Sequence, residues 1–362
     1  MTLGQINNLN RPLPAEDLRN VTALIESSMA TWRGARILLT GATGFFGRWL
    51  VETFHHANQI LDLGAELTGV GAPTDDFATQ CPHLLEFCDV RMIRADIRRL
   101  GDELTSQLPG WGDRIDAVIH AAIQVDSTSY DRQPLPTLET AVMGTWQALD
   151  VARNANVRRF LFVSSGAIYG TQPRHVDNVD ENQTVNLDCA IPQSAYAEGK
   201  RIGETLCAAY HRQYGLPVSI VRPFAFVGPC LPLDRQFAIG NFLRDALRGG
   251  PLVIQSDGRP LRSYLYASDL AVWLWTILAR GTIGRPYNVG SECAVSLRQA
   301  AELIARIVSG PITIEVRGVA ESGPPPRYVP STLRARNELG LSESVNLEEA
   351  VTRTLAWYEG LT

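Results

Sequence analysis

The stretch "ARILLTGATGFFG", residues 35–47, decides the fold of this chain. It begins as a short apolar strand, passes through three glycines, and leads into "FFGRWLVETFHHANQIL", whose apolar spacing predicts a helix. Gly41 permits a tight turn, Gly44 lets backbone N–H groups approach a pyrophosphate, and Gly47 lets the helix pack close to the sheet. The helix N-terminus favours an anion. Strand, loop and helix in this order predict dinucleotide binding.

Further short strands alternate with helices as far as Pro223. The strands are "AELTGV", "VRMIRADI", "IDAVIHAA", "RRFLFVSS" and "PVSIVRP". This alternation predicts a parallel sheet that helices cover on both faces. Right-handed crossovers make it a doubly wound, Rossmann-like α/β fold. Beyond Pro223, frequent proline and glycine indicate a smaller C-terminal α/β lobe, which we expect to bind the substrate over the carboxyl ends of the strands.

The chain divides into three predicted parts. Residues 1–33 form an N-terminal extension that contains a helix. Residues 34–222 form the dinucleotide-binding domain, to which residues 262–285 return. Residues 223–261 and 286–362 form the substrate-binding lobe.

Composition and charge argue against several classes of function. The 362 residues are 45% hydrophobic and carry a formal net charge of −5 with no basic run, which argues against nucleic-acid and membrane partners. No apolar run approaches the roughly 20 residues that cross a bilayer, and the N-terminus lacks the apolar segment of a signal peptide. The 6 cysteines form no CxxC pair and no metal cluster with histidine. This pattern favours a reducing, cytoplasmic location and no metal site.

A hydride-transfer site is indicated by "VSSGAIYG", residues 163–170, and by "YAEGK", residues 196–200. Tyr196 and Lys200 are four residues apart and therefore share one face of a helix. A phenol has a reference pKa of about 10, and an adjacent ammonium lowers that pKa by favouring the phenolate. Tyr196 is thus the predicted base that removes a proton from a substrate alcohol, while Ser165 hydrogen-bonds the same hydroxyl.

The remaining cofactor contacts follow the ends of the strands. Asp96 ends the third strand, where it either accepts a hydrogen bond from adenine or caps the next segment. His120 ends the fourth strand and is predicted to pack beside the cofactor ribose rather than to act as an acid. The predicted cofactor-binding residues are Gly41, Thr43, Gly44, Phe45, Phe46, Gly47, Asp96, Ile97, Ala121, Ala122, Tyr196, Lys200 and Pro223.

The choice between NAD and NADP depends on the residues after the second strand. Residues 70–72, Val-Gly-Ala, offer neither an acid nor a base there. Asp75 and Asp76 follow slightly later and could serve the ribose, whereas Arg94 could serve a 2′-phosphate. We predict NAD as the cofactor, and the sequence leaves NADP open.

These motifs occur in order with others that complete a known pattern. From residue 35 to about 340, the chain carries "TGATGFFG", "VIHAA", "SSGAIYG", "YAEGK", "RPFAFVGP", "RSYLYASDL" and "YNVGS". It resembles the extended short-chain dehydrogenase/reductase superfamily, within the nucleotide-sugar epimerase/dehydratase group. The resemblance implies that Ser165, Tyr196 and Lys200 oxidise or reduce a sugar carbon, usually C4. It also implies that the C-terminal lobe binds the nucleoside diphosphate of the sugar substrate.

The resemblance further implies substrate contacts and a partner. The family's two phosphate-binding arginines match Arg262 and Arg327, and the guanidinium fork suits a diphosphate. Ser165, Gly166 and Ala225 complete the predicted substrate-binding set. The family often forms homodimers through a four-helix bundle, and the helices that carry "TWQALDVA" and "IGETLCAAY" offer apolar faces for it.

Positions at which this chain departs from the family pattern indicate which of the family's reactions it catalyses. Dehydratases of the family carry an Asp-Glu pair directly after the catalytic hydroxyl, where this chain has Gly166 and Ala167, which move no proton. The sugar-acid decarboxylases resemble SxEVYG there, and Ala167 breaks that pattern as well. Two usual asparagines are replaced, one by Ala141 and the other by Ala225 or Phe226, which favours a substrate other than the common hexoses.

We therefore predict an NAD(P)-dependent nucleotide-sugar epimerase that acts through a transient 4-keto intermediate. A nucleotide-sugar 4-ketoreductase or dehydrogenase is the alternative enzyme. A 4,6-dehydratase would need acids from another loop, such as Asp126 or Asp131. A cofactor-sensing scaffold of the same fold is the non-enzymatic alternative.

Overall fold

The computed structural model describes residues 10–110, 114–123, 133–184, 187–234, 237–308, 310–319 and 322–360. Within these ranges, a parallel sheet of seven strands has the order 3-2-1-4-5-6-11. The strands are β1 (Arg36–Thr40), β2 (Glu66–Gly71), β3 (Val90–Arg94), β4 (Ala117–His120), β5 (Arg159–Val163), β6 (Val218–Pro223) and β11 (Pro286–Val289). The strand order changes direction between β1 and β4, so the predicted doubly wound, Rossmann-like fold is confirmed.

Helices cover both faces of this sheet, and others pack on the small sheets outside it. The α-helices of the described residues are α1 (Ala15–Met29), α2 (Phe45–Ile60), α3 (Phe77–Gln80), α4 (Leu100–Gln107), α5 (Pro134–Asn154), α6 (Ala195–Tyr214), α7 (Ala238–Leu247), α8 (Ala267–Arg280), α9 (Leu297–Ile307), α10 (Leu333–Leu339) and α11 (Leu347–Glu359). Helices α2 and α8 pack against each other, and so do α5 and α6. None of the helices in the described ranges combines the length and apolarity that a bilayer crossing requires.

Strand β1 shows why the sheet is buried on both faces. Ile37 and Leu39 belong to the apolar cluster that includes α2 and α8, while Leu38 belongs to the cluster that includes α5 and α6. All three side chains are fully buried. Alternate side chains of a strand point to opposite faces, so a continuous apolar strand requires cover on both sides.

The N-terminal segment packs against the main domain and forms hydrogen bonds with the C-terminal helix. Helix α1 packs on α2 and α8. Its buried Asp17 accepts hydrogen bonds from Tyr266 at 2.6 Å and from Arg353 of α11 at 2.5 Å. The Arg11 guanidinium donates to the carbonyl of Trp357, also on α11, at 2.6 Å. The described part of the predicted extension, from residue 10 onward, therefore packs against the rest of the chain.

Short strands form small sheets outside the main one. β8 (Leu252–Ile254) pairs with β13 (Ile314–Val316), β9 (Leu261–Arg262) pairs with β12 (Val295–Ser296) and β14 (Arg327–Tyr328), and β7 (Phe226–Val227) pairs with β10 (Leu265–Tyr266). The sequence analysis assigned residues 286–362 to the lobe, whereas β11 in this range pairs with β6 in the main sheet. The partition into a cofactor domain and a substrate lobe stays a prediction.

Candidate active site

A cleft of about 1610 Å³ opens where β1, β4, β5 and β6 end. A single small ligand occupies a pocket of roughly 300–1,000 Å³, so this cleft has room for a cofactor and a second ligand. The predicted site residues that line it are Gly41, Thr43, Gly44, Phe45, Phe46, Gly47, Asp96, Ile97, Ala121, Ala122, Ser165, Tyr196, Lys200, Pro223, Ala225 and Arg262. Gly166 and Arg327 are not among the lining residues.

The glycine loop has no space for side chains at two of its glycines. Gly41 has φ +78°, and a Cβ there would lie 2.8 Å from the Ala122 backbone nitrogen. A Cβ at Gly47 would lie 2.1 Å from the Gly41 carbonyl oxygen, whereas at Gly44 the nearest atom would be 3.4 Å away. Gly44 caps α2 without a side chain, so the N-terminus of this helix faces the cleft uncapped. These residues fit the pyrophosphate of a dinucleotide.

Asp75 lies at the end of the cleft where a cofactor ribose is expected. Its carboxylate accepts hydrogen bonds from the Thr43 hydroxyl at 2.6 Å and from the Ala72 amide at 2.8 Å. Asp76 instead accepts from the hydroxyl of Thr79 within α3, and Arg94 lies over the Phe77 ring at 5.3 Å. Of the three candidates for ribose or 2′-phosphate recognition, Asp75 is the one that lines the cleft.

Asp96 both caps a turn and lines the cleft. Its carboxylate accepts from the Arg98 backbone N–H at 3.0 Å and forms a two-pronged ion pair with the guanidinium of Arg98, at 2.9 and 2.6 Å. The hydrogen bond from Arg98 holds the pKa of Asp96 below its usual value. The carboxylate is therefore ionised at neutral pH, and the predicted contact with adenine stays a prediction.

Ser165, Tyr196 and Lys200 come together in the cleft. Ser165 follows β5, and its hydroxyl is hydrogen-bonded to Tyr196 and accepts from the Ala167 amide at 3.1 Å. Lys200 lies one turn after Tyr196 on α6, and its ammonium donates to the Val163 carbonyl at 2.6 Å. The carboxyl end of β5 and one face of α6 thus supply all the groups expected for hydride transfer.

The pKa values of this group differ from the expectation that the ammonium lowers the pKa of the phenol. Burial raises the pKa of Tyr196, and the hydrogen bond with Ser165 lowers it in part. Burial lowers the pKa of Lys200 to about 7, and Cys207 and Glu204 raise it in part. The sequence analysis expected the ammonium to act on the adjacent phenol, whereas the Lys200 side chain is 3% exposed and its ammonium donates to the Val163 carbonyl.

His120 is packed in the sheet and is not available as an acid. Its ring nitrogens contact the hydroxyls of Thr40 at 2.8 Å and Thr145 at 3.2 Å. Burial lowers the pKa of His120 to about 3, so the imidazole is neutral at physiological pH. The alternative acids Asp126 and Asp131 lie outside the described residues.

Two aromatic rings fill the space next to the residue that follows Ser165. A Cβ at Gly166 would lie 2.7 Å from the Tyr328 hydroxyl and 2.8 Å from the Phe224 ring. The centroids of these two rings are 4.6 Å apart. Ala167 lines the cleft and offers it a methyl group. Neither position after the serine supplies a proton donor or acceptor from its side chain.

The two predicted phosphate-binding arginines lie in different places. Arg262 lines the cleft, with its guanidinium 5.9 Å from the centre of the Tyr328 ring. Arg327 instead donates to the Asp177 carbonyl at 3.1 Å and forms an ion pair with the Asp177 carboxylate at 3.4 Å. Tyr328, which sequence analysis missed, lines the cleft. Adjacent residues of a strand point to opposite faces, and this alternation within "PPRYVPST" was the signal that could have found it.

Comparison with known proteins identifies a family model that matches this chain and several proteins that are similar to it. The family model described as "NAD dependent epimerase/dehydratase family" matches residues 37–290. UDP-glucuronic acid decarboxylase 6 from Arabidopsis thaliana is 29% identical over 343 residues, which cover 94% of this chain and 91% of the relative. An epimerase from Methanothermobacter thermautotrophicus has a similar structure, with a TM-score of 0.78 at 22% identity over 93% of this chain and 96% of that one.

A third similar protein is a dehydratase. The structure of the dTDP-glucose 4,6-dehydratase DesIV from Streptomyces venezuelae gives a TM-score of 0.74 at 26% identity, over 90% of this chain and 97% of that one, and contains NAD. The family model covers well over half of this chain. This protein is therefore an enzyme of the NAD-dependent epimerase/dehydratase family, as the resemblance of its motifs implied.

Proposed function

We propose that this enzyme is a nucleotide-sugar epimerase that oxidises a sugar alcohol at C4 transiently and reduces the ketone from its other face. One observation carries the proposal. Ser165, Tyr196 and Lys200, the groups expected for hydride transfer, line one cleft. The two residues that follow the serine, Gly166 and Ala167, carry no side-chain group that could remove or add a proton elsewhere on the sugar.

The described side chains divide the proton chemistry between them. Tyr196 in its phenolate form takes the proton of the sugar alcohol and later returns it to the ketone oxygen. The Ser165 hydroxyl is hydrogen-bonded to Tyr196, so a substrate oxygen placed between them contacts both. NAD, when bound, supplies the hydride acceptor. Because nothing is consumed in this cycle, the cofactor is restored at the end of each turnover.

Lys200 holds its ammonium at the end of β5 rather than on the phenol. It donates to the Val163 carbonyl two residues before Ser165, which fixes the spacing between α6 and the strand end. Its ammonium also lies 5.1 Å from the centre of the Phe162 ring, where the face of the ring attracts a cation. Positive charge at this place favours the phenolate form of Tyr196 once the site is occupied.

The packing over Gly166 favours epimerisation over elimination of water. A dehydratase needs an acid and a base close to the serine, and positions 166 and 167 provide neither. The Phe224 ring and the Tyr328 hydroxyl occupy the space into which a side chain at 166 would project. No carboxylate can therefore be placed at position 166 without a shift of these two rings, which favours return of the hydride to C4 over elimination of water.

A nucleoside diphosphate sugar is the proposed substrate. The relatives named above act, by their names, on UDP-glucuronic acid and dTDP-glucose, and both of these are sugars on a nucleoside diphosphate. Arg262 lines the cleft and offers a guanidinium fork that suits a diphosphate. Arg327 is paired with Asp177, so its predicted contact with substrate would require that ion pair to open.

NAD rather than NADP is supported by Asp75. A carboxylate that lines the cleft shortly after β2 attracts ribose hydroxyls and repels a 2′-phosphate. The two hydrogen bonds to Asp75, from Thr43 and Ala72, hold it in this place.

Decarboxylation is the second candidate, because relatives of this chain, among them the Arabidopsis thaliana protein named above, are UDP-glucuronic acid decarboxylases. It would begin with the same oxidation at C4, since a ketone there activates the neighbouring carboxylate for loss of carbon dioxide. Ala167 departs from the decarboxylase pattern, which favours the epimerase. A 4-ketoreductase would instead consume reduced cofactor in proportion to product.

We also propose a homodimer in the cytoplasm. Helices α5 and α6 pack together and expose Leu135, Met143, Trp146 and Ile202, which gives an apolar surface that a second copy can cover. All six cysteines are free thiols, as a reducing compartment would maintain.

The test is turnover of a panel of nucleotide sugars. We expect purified enzyme with catalytic amounts of NAD to convert one UDP-, dTDP-, GDP- or CDP-sugar into an isomer of equal mass, and Tyr196→Phe to remove this activity. Loss of water, loss of carbon dioxide, or consumption of cofactor in proportion to product would each contradict the epimerase.

A further inference from the structure

The serine that precedes Ser165 has a buried hydroxyl without a hydrogen-bond partner among the described residues. Ser164 is 4% exposed, and no donor or acceptor of the described ranges pairs with its Oγ atom. Buried polar groups are nearly always hydrogen-bonded, because an unpaired one forfeits the water that it binds in the unfolded chain. Ser164 also lines the cleft. This combination points to a ligand in the cleft as the partner of the hydroxyl.

Two other buried serines show that the position of Ser164 is what matters. The hydroxyls of Ser219 and Ser263 also have no partner within the described ranges, and these residues are 1% and 0% exposed. Neither of them lines the cleft. Ser219 is the second residue of β6, so it lies toward the end of the sheet opposite to the cleft. Of these three serines, Ser164 alone can present its hydroxyl to a ligand in the cleft, by rotation about one bond.

Ser164 lies on the same face of β5 as the ammonium of Lys200. The Ser164 amide donates to the Val221 carbonyl at 2.8 Å, so strand pairing continues as far as this residue. Alternate residues of a strand share a face, which puts Ser164 on the side of Phe162. The Lys200 ammonium lies 5.1 Å from the centre of the Phe162 ring and donates to the Val163 carbonyl at 2.6 Å. The serine hydroxyl and the ammonium therefore share one side of the strand end.

We propose that Ser164 is a cofactor-binding residue whose hydroxyl hydrogen-bonds the ribose that carries the nicotinamide of NAD. Hydride transfer at Ser165 and Tyr196 requires the nicotinamide half of the cofactor beside these residues. Its ribose has two neighbouring hydroxyls, and each of them can donate and accept. The Ser164 hydroxyl also donates and accepts, and the Lys200 ammonium has three protons, one of which goes to Val163. A hydroxyl and an ammonium on one side of the strand end thus suit a diol.

The test measures nucleotide binding, so it does not depend on the proposed epimerase activity. Calorimetry on the full-length protein compares NAD with ADP-ribose, which lacks the nicotinamide, and with ADP, which also lacks the second ribose. We expect Ser164→Ala to raise the dissociation constants of NAD and ADP-ribose about 3- to 10-fold, the effect of one hydrogen bond. The dissociation constant of ADP is expected to stay unchanged.

Stability without nucleotide separates a ligand contact from a structural one. We expect Ser164→Ala to be at least as stable as the wild type in urea unfolding, because the substitution removes a buried hydroxyl that has no partner. Ser219→Ala is the matched control, since it removes the same group from a buried strand position away from the cleft. It is expected to behave alike in unfolding and to leave all three dissociation constants unchanged.

Three results would overturn the proposal. An unchanged dissociation constant of NAD in Ser164→Ala would mean that the hydroxyl does not contact the cofactor. Weaker binding of NAD with unchanged binding of ADP-ribose would assign the contact to the nicotinamide instead of the ribose. An equal loss for ADP, or a clear loss of stability before nucleotide is added, would mean that the substitution disturbs the fold. An enzyme that is inactive on every nucleotide sugar would refute the proposed function and leave these binding results decisive.

Discussion

Lys200 allows an unusually direct test of the site, because it is the only lysine in the sequence. Protein labelled with [ε-¹³C]lysine therefore gives a single side-chain signal that reports one ammonium. Burial lowers the pKa of this group from the ordinary 10.5 to about 7. We expect the signal from the full-length protein without cofactor to titrate close to neutral pH, several pH units below an exposed lysine.

The lowered pKa also predicts how stability depends on pH. Between pH 7 and 10.5 the unfolded chain holds a proton that the folded chain has lost, so this residue makes the free energy of unfolding rise with pH. The slope approaches about 1.4 kcal/mol per pH unit for one proton. Since Lys200 is half protonated in the fold at about pH 7, the rise from pH 7 to 9 is about 2 kcal/mol.

The assay for this effect is urea unfolding at the two pH values. Lys200→Met is the matched variant, because it keeps the length of the side chain and removes the titrating amine. Subtracting its pH dependence cancels every other group, and the difference is expected to be about 2 kcal/mol. A lysine signal that titrates near 10.5, or equal pH dependence in the two proteins, would refute the burial of an ammonium at the end of β5.

Three other changes test separate parts of the cleft. Gly47→Ala places a Cβ 2.1 Å from a backbone oxygen, so we expect a loss of about 2 kcal/mol or more in urea unfolding and weaker NAD binding by calorimetry. Gly44→Ala, whose Cβ would have its nearest neighbour at 3.4 Å, is the control for stability only, and an equal loss of stability in the two variants would contradict the packing of the loop. Asp75→Ala is expected to improve NADP binding relative to NAD binding about tenfold, because it removes a negative charge that repels the 2′-phosphate of NADP. An unchanged ratio of the NADP and NAD dissociation constants would argue against Asp75 as the ribose partner. Trp146→Glu puts a charge on the proposed dimer surface, and sedimentation velocity is expected to show a monomer; an intact dimer would assign the interface elsewhere.

The glycine loop could be predicted from sequence because its requirements are local. A tight turn needs positive φ at Gly41, and the close approach of α2 needs Gly47, and both residues lie within a single strand–turn–helix unit. The spacing of Tyr196 and Lys200 likewise follows from one turn of helix. The parallel, doubly wound sheet could be predicted from the alternation of strands and helices, because parallel neighbours need crossover helices and these crossovers have a fixed hand. The seventh strand, β11, was not predicted.

The other features of the site depend on contacts between residues that are far apart in the sequence. Tyr328 lines the same cleft as Ser165 from a short strand far along the sequence, and only its neighbour Arg327 had a recognisable motif. The burial of the Lys200 ammonium against the Val163 carbonyl could not be predicted, because this carbonyl belongs to a strand 37 residues away in the sequence. The ion pair between Arg98 and Asp96 was not predicted, because the sequence shows only that Asp96 follows a strand.

The most direct measurement of the central claim follows a deuterium atom at C4 of the substrate. The substrate is the sugar identified by the panel of nucleotide sugars, labelled at this carbon and incubated with enzyme and catalytic NAD. Removal and return of hydride at one carbon predicts an isomer that keeps its deuterium at C4 with inverted configuration. Deuterium at C6 with loss of water, or reduced cofactor that accumulates with product, would contradict the account.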